Sequence, residues 1–117
     1  MVFDKLINEI DENSSGVENL LLAGVDGIVV ARKTELEMDD YLVAEAANLI
    51  KEAQRFGEEL GSTDLVNLTT HYQDQIILIQ MVSIEYFLLA ILKDSRSLGK
   101  LRYRMSLKSH EWYSAIA

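Results

Sequence analysis

The residue types that most often carry catalysis or bind metals are sparse in this sequence of 117 residues. It contains no cysteine, which excludes disulfides, thiolate nucleophiles and thiolate metal sites. Its two histidines, His71 and His110, have no H-E-x-x-H or comparable ligand spacing around them, so surface or strand-end positions explain them better than a metal site. No G-x-S-x-G elbow surrounds any serine. We therefore expect no catalytic residue and no metal ligand.

The segment Gly24-Val25-Asp26-Gly27 is the closest approach to a phosphate-binding loop. It is too short for a dinucleotide fingerprint, and it leads into an aliphatic run rather than a helix. No G-x-x-x-x-G-K-[ST] motif occurs anywhere. Asp-Gly between two aliphatic runs instead predicts a β-hairpin, because glycine adopts positive φ without steric cost. The sequence thus predicts no bound cofactor and no P-loop hydrolysis of a nucleotide.

The composition indicates one globular domain over residues 1–117. Hydrophobic residues make up 49% and charged residues 26%, and the length leaves no room for a second core. The amino terminus turns acidic at once, without the basic and then apolar regions of a signal peptide. The longest unbroken apolar run, Tyr86–Leu92, is far shorter than the roughly 20 residues that span a bilayer. We expect no membrane span and a cytoplasmic location.

The net charge of −8 argues against a general nucleic-acid binder. From Lys93 onward, however, the sequence has six basic residues and only two acidic ones. A basic stripe at four-residue steps is therefore expected on the last helix. Its members are Arg96, Lys100, Arg104 and Lys108. The stripe leaves nucleic-acid or anionic-lipid binding open as a rival function. Because no aromatic stacking platform accompanies it, a solvated face or a surface for an acidic protein is favoured.

The spacing of apolar residues predicts eight elements in the order α-β-β-α-β-β-β-α. Steps of three and four predict helices, and alternating or continuous apolar runs predict strands. The expected elements are a helix from Phe3 that ends at Asn13–Gly16, hairpin strands Val17–Gly24 and Ile28–Arg32, a helix from Asp39 or Asp40 to Leu60, strands Asp64–His71, Gln75–Val82 and Tyr86–Leu92, and a helix from Ser95 or Ser97. The fold class is α/β, an α+β sandwich: a five-stranded antiparallel sheet with helices on both faces.

The two longer helices have expected ends and faces. Asp39 or Asp40 is expected to cap the middle helix, and Gly61 to supply the left-handed residue that ends it. The apolar face of that helix is expected to comprise Leu42, Val43, Ala46, Leu49, Ile50, Ala53, Phe56, Gly57 and Leu60. The apolar stripe of the last helix is expected to comprise Leu98, Leu101, Met105 and Trp112.

The middle helix and the strand Asp64–His71 carry the signs of a subunit contact. The strand is the most polar of the five, which is typical of a sheet edge, and Asn67 and Thr69 are expected to face water. The helix is rich in small residues, which let another element approach closely: Ala44, Ala46, Ala47 and Ala53. Helix crowding beside an open edge suggests two subunits joined there. Alanine is also simply a good helix former, so the single-chain explanation stays open.

The chain resembles the roadblock domain, which occurs in dynein light chains of that type and in small bacterial and archaeal regulators of Ras-like GTPases. The resemblance covers essentially the whole chain. It is carried by the hairpin Leu20–Ala31, the helical segment Ala44–Ala53, the apolar strand pair, and Leu98-Gly99-Lys100-Leu101. One departure is Gln73-Asp74, where the family often has glycine; aspartate tolerates the left-handed region, so the turn remains compatible with the family.

The resemblance implies a homodimer, or a heterodimer with a roadblock paralogue, in which the third strands pair and the middle helices pack side by side. Carried onto this sequence, the dimer contact would use Ala46, Leu49, Ile50, Ala53, Val66, Leu68 and Thr70. The exposed face of the paired helices would bind a Ras-like small GTPase through Glu45, Asn48, Glu52, Arg55 and Glu59. Such dimers are non-catalytic in themselves and influence the nucleotide cycle of the GTPase, as in gliding motility or cell polarity.

Two alternatives from other classes remain at this stage. The first is a scaffold or motor light-chain subunit without effect on any nucleotide cycle. The second is a small enzyme or ligand-binding domain of similar fold, against which the missing catalytic constellation counts.

Overall fold

A computed structural model describes the backbone of residues 2–11 and 16–116 and the side chains of residues 3–11 and 16–111. The predicted order of elements and the fold class are confirmed. The elements are α1 (Val2–Asp11), β1 (Val17–Gly24), β2 (Val29–Arg32), α2 (Asp39–Glu59), β3 (Asn67–His71), β4 (Ile76–Met81), β5 (Tyr86–Leu92) and α3 (Leu98–Ile116). The predicted end of the first helix at Asn13–Ser15 lies outside the described residues, as does the side chain of Trp112.

The five strands form one antiparallel sheet in the order β2-β1-β5-β4-β3. The most apolar strand, β5, lies at the centre, with β1 and β4 beside it. Their alternate side chains point to opposite faces, so both faces are apolar and need a cover. The prediction that the polar third strand forms an edge is confirmed.

Each face of the sheet has its own core. On one face, which we call the two-helix face, α1 and α3 pack through Leu6, Ile10, Leu101 and Met105 against Leu20, Leu22, Leu78 and Leu88. On the other, the one-helix face, α2 packs through Val43, Ala46, Ala47 and Ile50 against Leu21, Ala23, Ile79, Phe87 and Leu89. Within the described residues, no helix has an apolar stretch long enough to cross a membrane.

The β1–β2 hairpin forms as predicted. Gly27 has φ +91°, and its N–H donates to the Gly24 carbonyl at 2.9 Å. Asp26 accepts a hydrogen bond from the Ile28 N–H at 3.1 Å, which closes the turn. Because Ile28 is part of this turn, β2 begins at Val29, one residue later than predicted.

The predicted capping role of Asp39 or Asp40 is wrong. Met38 occupies the N-cap position without a side-chain hydrogen bond, and Asp39 is the first helical residue. The Asp39 carboxylate is fully buried, where it accepts hydrogen bonds from Arg32 Nη1 at 3.0 Å and Asn19 Nδ2 at 3.1 Å. It also accepts from the Leu36 N–H at 2.9 Å. One carboxylate thus ties the start of α2 to β1, to β2 and to the intervening loop.

The end of α2 follows the prediction closely. Gly61 has φ +74°, and its N–H donates to the Glu58 carbonyl at 3.0 Å. The Ser62 N–H donates to the Gly57 carbonyl at 2.8 Å, which completes a Schellman motif. The helix itself ends at Glu59, one residue before the predicted end.

Three further boundaries differ from the prediction. β3 begins at Asn67 rather than Asp64, because the Leu65 N–H donates at 2.9 Å to Gln54 Oε1 of α2 instead of joining the sheet. β4 covers Ile76–Met81 and is one residue shorter at each end than expected. α3 begins at Leu98, after the predicted starting residues.

The buried carboxylate of Asp39 gives the first test. Asp39→Ala removes the acceptor of three hydrogen bonds and leaves the Asn19 amide and the Arg32 guanidinium without their partner. We expect a loss of about 3 kcal/mol in the free energy of unfolding, measured by urea denaturation. Asp40→Ala, at the exposed neighbouring position of the same helical turn, is the control and should cost little. Equal effects of the two substitutions would contradict the anchoring role of Asp39.

Candidate functional site

The described residues contain no group of three or more His, Cys, Asp or Glu side chains placed to hold a metal ion. His71 lies at the exposed end of β3, and His110 lies near the end of α3. The surfaces that stand out are instead the open side of the one-helix face, the outer side of α2 and the edge strand β3.

The one-helix face is only partly covered by α2. Next to the helix lies a small, mainly apolar cavity of about 130 Å³, between Leu42 and Leu49 of α2 and the strand residues Thr70 and Ile77; we call it the apolar slot. Tyr72, just beyond β3, also lines it and is 59% exposed. An apolar slot between a helix and an edge strand is a natural place for a second helix or strand to pack.

The seven predicted dimer residues lie in four environments. Ala46 and Ile50 are buried beneath α2 against the sheet of their own chain, and Ala53 is half-buried one helical turn further on. Leu49 and Thr70 meet at the apolar slot. Leu68 is half-buried on the same face of the sheet, whereas Val66 precedes β3 and is 62% exposed.

Two residues of the apolar face predicted for the middle helix are mostly exposed instead of packing against the sheet. Phe56 is 64% exposed and Leu60, just past the helix end, is 67% exposed. Together with Leu49 they follow each other at steps of seven and four residues, so they share one flank of the helix. The signal was present in the sequence as an apolar face that is wider than one sheet contact requires. We call Leu49, Phe56 and Leu60 the apolar flank of α2.

The outer side of the edge strand β3 carries backbone groups that have no partner strand among the described residues. The Tyr72 N–H donates to the Gln75 carbonyl at 2.8 Å, and the Met81 N–H donates to the Val66 carbonyl at 3.0 Å. Because hydrogen-bonded pairs alternate in an antiparallel ladder, Leu68 and Thr70 turn their N–H groups toward β4. The N–H groups of Asn67, Thr69 and His71 therefore point away from the sheet, where they can pair with another strand.

The five predicted partner-binding residues all lie on the exposed side of α2. They are Glu45, Asn48, Glu52, Arg55 and Glu59. Glu52 and Arg55 form an ion pair with each other, with their side chains 64% and 65% exposed. Three carboxylates against one guanidinium make this side acidic, and an exposed pair of this kind adds little to stability.

The predicted basic stripe of the last helix does not form as one surface. Arg96 precedes α3 and donates two hydrogen bonds to Asp94, which hold the pKa of Asp94 below its ordinary value. Lys108 lies 3.7 Å from Glu9 of α1 and 3.4 Å from Glu111. Arg104 is half-buried, which leaves Lys100 as the exposed member within the helix. A four-residue basic face is therefore wrong as a description of α3.

Arg102, which the sequence did not single out, connects α3 to the edge strand. Its Nη2 donates to Thr69 Oγ1 at 2.9 Å across the two-helix face. Thr69 is half-buried by this contact, so the prediction that it faces water is wrong. No local pattern could have shown the contact, because the two residues are 33 positions apart.

A family model for the Roadblock/LC7 domain matches residues 3–93 of the chain, from α1 to the end of the sheet. No curated protein matches the chain at a significant level.

Several solved structures share the fold. A Roadblock/LC7 domain from Streptomyces avermitilis has a TM-score of 0.86 at 15% identity and covers 97% of this chain and 96% of its own. MglB from Myxococcus xanthus has a TM-score of 0.84 at 15% identity, with coverages of 96% and 92%. The gliding protein MglB from Thermus thermophilus has a TM-score of 0.83 at 16% identity, with coverages of 94% and 84%.

The contact between Arg102 and Thr69 predicts that substitutions on the two faces of β3 differ in their effect on stability. Thr69→Val keeps the shape of the side chain and removes the acceptor, so we expect a loss of about 1 kcal/mol in the free energy of unfolding. Thr70→Val, the matched change on the opposite face of the same strand, should have a smaller effect. Urea denaturation of both variants measures the difference. If Thr70→Val costs as much as Thr69→Val, the hydrogen bond does not anchor the edge strand.

Proposed function

Because the chain belongs to the Roadblock/LC7 family, we propose that it is a dimeric, non-catalytic interaction module that binds and regulates a Ras-like small GTPase. The observation that supports this most directly is the open edge of β3 beside the uncovered strip of the one-helix face. A surface of this kind suits a protein partner rather than a reaction.

The dimer in this proposal forms through β3. Antiparallel pairing with a second copy would give hydrogen-bond partners to the outward N–H groups of Asn67, Thr69 and His71. The same symmetry would bring two copies of α2 together on one face of a continuous sheet. Their apolar flanks would then be removed from water, which is the main favourable term in such an association.

In this proposal the predicted dimer residues divide into two groups. Ala46 and Ile50 are buried in their own chain, so they would act by holding α2 against the sheet. Direct contact would fall to Leu49, Ala53, Leu68 and Thr70, with Val66 at the end of the strand. Phe56 and Leu60 join the proposed interface because their exposure is otherwise unfavourable.

The GTPase in this proposal binds the outer side of the paired α2 helices. Glu45, Asn48, Glu52, Arg55 and Glu59 lie there and are exposed to solvent. Dimerisation would double this acidic row and set its two copies side by side. Charges at the rim of an interface mainly raise the association rate and its dependence on salt. We therefore expect the complementary surface of the GTPase to be basic.

The dimer is tested by removing one outward N–H. Asn67→Pro deletes an N–H that points away from β4, at the first residue of an edge strand, where proline is tolerated. The single chain should therefore stay folded while the dimer dissociates more readily. Sedimentation should give about twice the 13.3 kDa monomer mass for the original chain at micromolar concentration, and a lower average mass for the variant.

Asn67→Ala is the matched control, because it removes the same side chain and keeps the N–H. It should sediment like the original chain. A monomeric original chain, or equal dissociation of both variants, would show that β3 is not the pairing edge.

The GTPase surface is tested by exchanging the charges of one exposed ion pair. Glu52→Arg combined with Arg55→Glu retains the pair within α2 and inverts the pattern that a partner meets. Binding to a Ras-like GTPase encoded beside the gene of this chain should weaken several-fold, since an exposed charge contributes about 1 kcal/mol or less. Calorimetry measures the affinity, and nucleotide release and hydrolysis assays show whether binding alters the cycle.

The matched control is Asp94→Arg combined with Arg96→Asp, which exchanges another exposed pair in the loop before α3. This variant should bind the GTPase normally. If the control weakens GTPase binding more than the exchange in α2 does, the GTPase binds near α3 instead. If the GTPase binds without any change in nucleotide release or hydrolysis, or if it does not bind, the scaffold or motor light-chain role replaces the regulatory one.

A further inference from the structure

A second, larger cavity lies away from the apolar slot. Its volume is about 880 Å³, and it opens between the second half of α2, the loop before β3, the β4–β5 turn and the second half of α3. This volume lies within the range of about 300–1,000 Å³ that is typical of small-molecule sites. It lies beside the loop that precedes β3, which begins at Asn67.

The wall of this cavity is mainly apolar. Ile50 of α2, Leu65 of the loop and Met81 and Val82 at the end of β4 line it, and all four are buried or half-buried. Val66 lines it at the surface and is 62% exposed. An apolar molecule that entered would remove this surface from water.

Two of the lining residues each carry a buried oxygen atom that has no hydrogen-bond partner among the described residues. These atoms are Gln80 Oε1 and Ser109 Oγ, whose residues are only 4% and 3% exposed. The other end of the Gln80 amide is fixed, because Nε2 donates to the carbonyls of Val66 at 3.3 Å and Met81 at 3.4 Å. Turning the amide around would place an oxygen against those two carbonyls. The free group is therefore an acceptor, and a buried acceptor without a donor is unfavourable.

The charged residues that line the cavity are confined to its rim. Lys51, Arg55, Glu58 and Asp64 are all exposed, and they carry both signs. The two buried oxygens belong to a neutral amide and a neutral hydroxyl. A charged ligand group would lose its hydration there without a counter-charge, which is costly.

We propose that this cavity binds a small, neutral, mainly apolar molecule that donates a hydrogen bond to Gln80 Oε1. Ser109 Oγ, on another lining residue, would be a second hydrogen-bond partner. The two buried oxygens of the ligand site lie on β4 and α3, and the site meets the proposed GTPase surface only at Arg55 on its rim.

Indole and 1-methylindole are suitable probes, because they share an apolar bicyclic ring and only indole has an N–H donor. Titration of the full chain, followed by the amide resonances in NMR spectra, should show saturable shifts at Leu65, Met81 and Val82. Indole should bind about three- to tenfold more tightly than 1-methylindole, the value of one buried hydrogen bond. The comparison is made on the unaltered chain, so it does not depend on the folding of a variant.

Gln80→Leu removes the acceptor at nearly constant size and should bring the two affinities together. Gln75→Leu makes the same change at an exposed position outside the cavity and should preserve the preference for indole. Equal affinities in the unaltered chain, shifts that map to another surface, or no saturable binding of either probe would each overturn the proposal. A preference for indole that persists in Gln80→Leu would also overturn the proposal, because the indole N–H would then donate to an acceptor other than Gln80 Oε1.

Discussion

One helix cannot cover one face of a five-stranded sheet. Five strands at a spacing of about 4.8 Å are about 19 Å wide between the outer pair, whereas a helix with its side chains is about 10 Å across. On the two-helix face, α1 and α3 together cover the width of the sheet. On the other face α2 packs alone, and the strip beside β3 and β4 remains half-covered. The apolar flank and the apolar slot are consequences of this incomplete cover. They lie beside the open edge of β3, so a second copy of the chain would supply a further helix and a further strand at once.

The position of α2 decides where that uncovered strip lies. Asp39 fixes the start of the helix through Asn19 and Arg32, and the Schellman motif at Gly61 fixes its end. Burying a carboxylate is costly unless it is paired and hydrogen-bonded, so the site specifies one placement of the helix rather than adding much stability. The acidic row of α2 faces solvent, and its apolar flank faces the side of the open edge strand. The orientation of this one helix therefore positions both the proposed GTPase surface and the proposed dimer interface.

Features that depend on local chemistry could be predicted from the sequence. The Asp26-Gly27 hairpin, the Gly61 helix end and the two apolar central strands formed where the sequence indicated, because the responsible residues are neighbours. The departures share a different cause. The Gln54 side chain accepts a hydrogen bond from the Leu65 N–H, so β3 begins later than predicted. Arg102 donates to Thr69 and partly buries it. Asn19 donates to the carboxylate of Asp39, which is buried. Each is a side-chain contact between residues far apart in the chain, which no period or motif reveals.

In the proposed dimer, a second copy of the chain closes the outer edge of β3. Amide hydrogen exchange at Asn67, Thr69 and His71 tests it residue by residue, because these N–H groups have no partner strand among the described residues of one chain. Closure predicts that the three amides exchange roughly tenfold or more slowly than the exposed turn amide of Gln73, and that the protection grows with protein concentration. Exchange at all three as fast as at Gln73, at every concentration, would contradict the shared sheet.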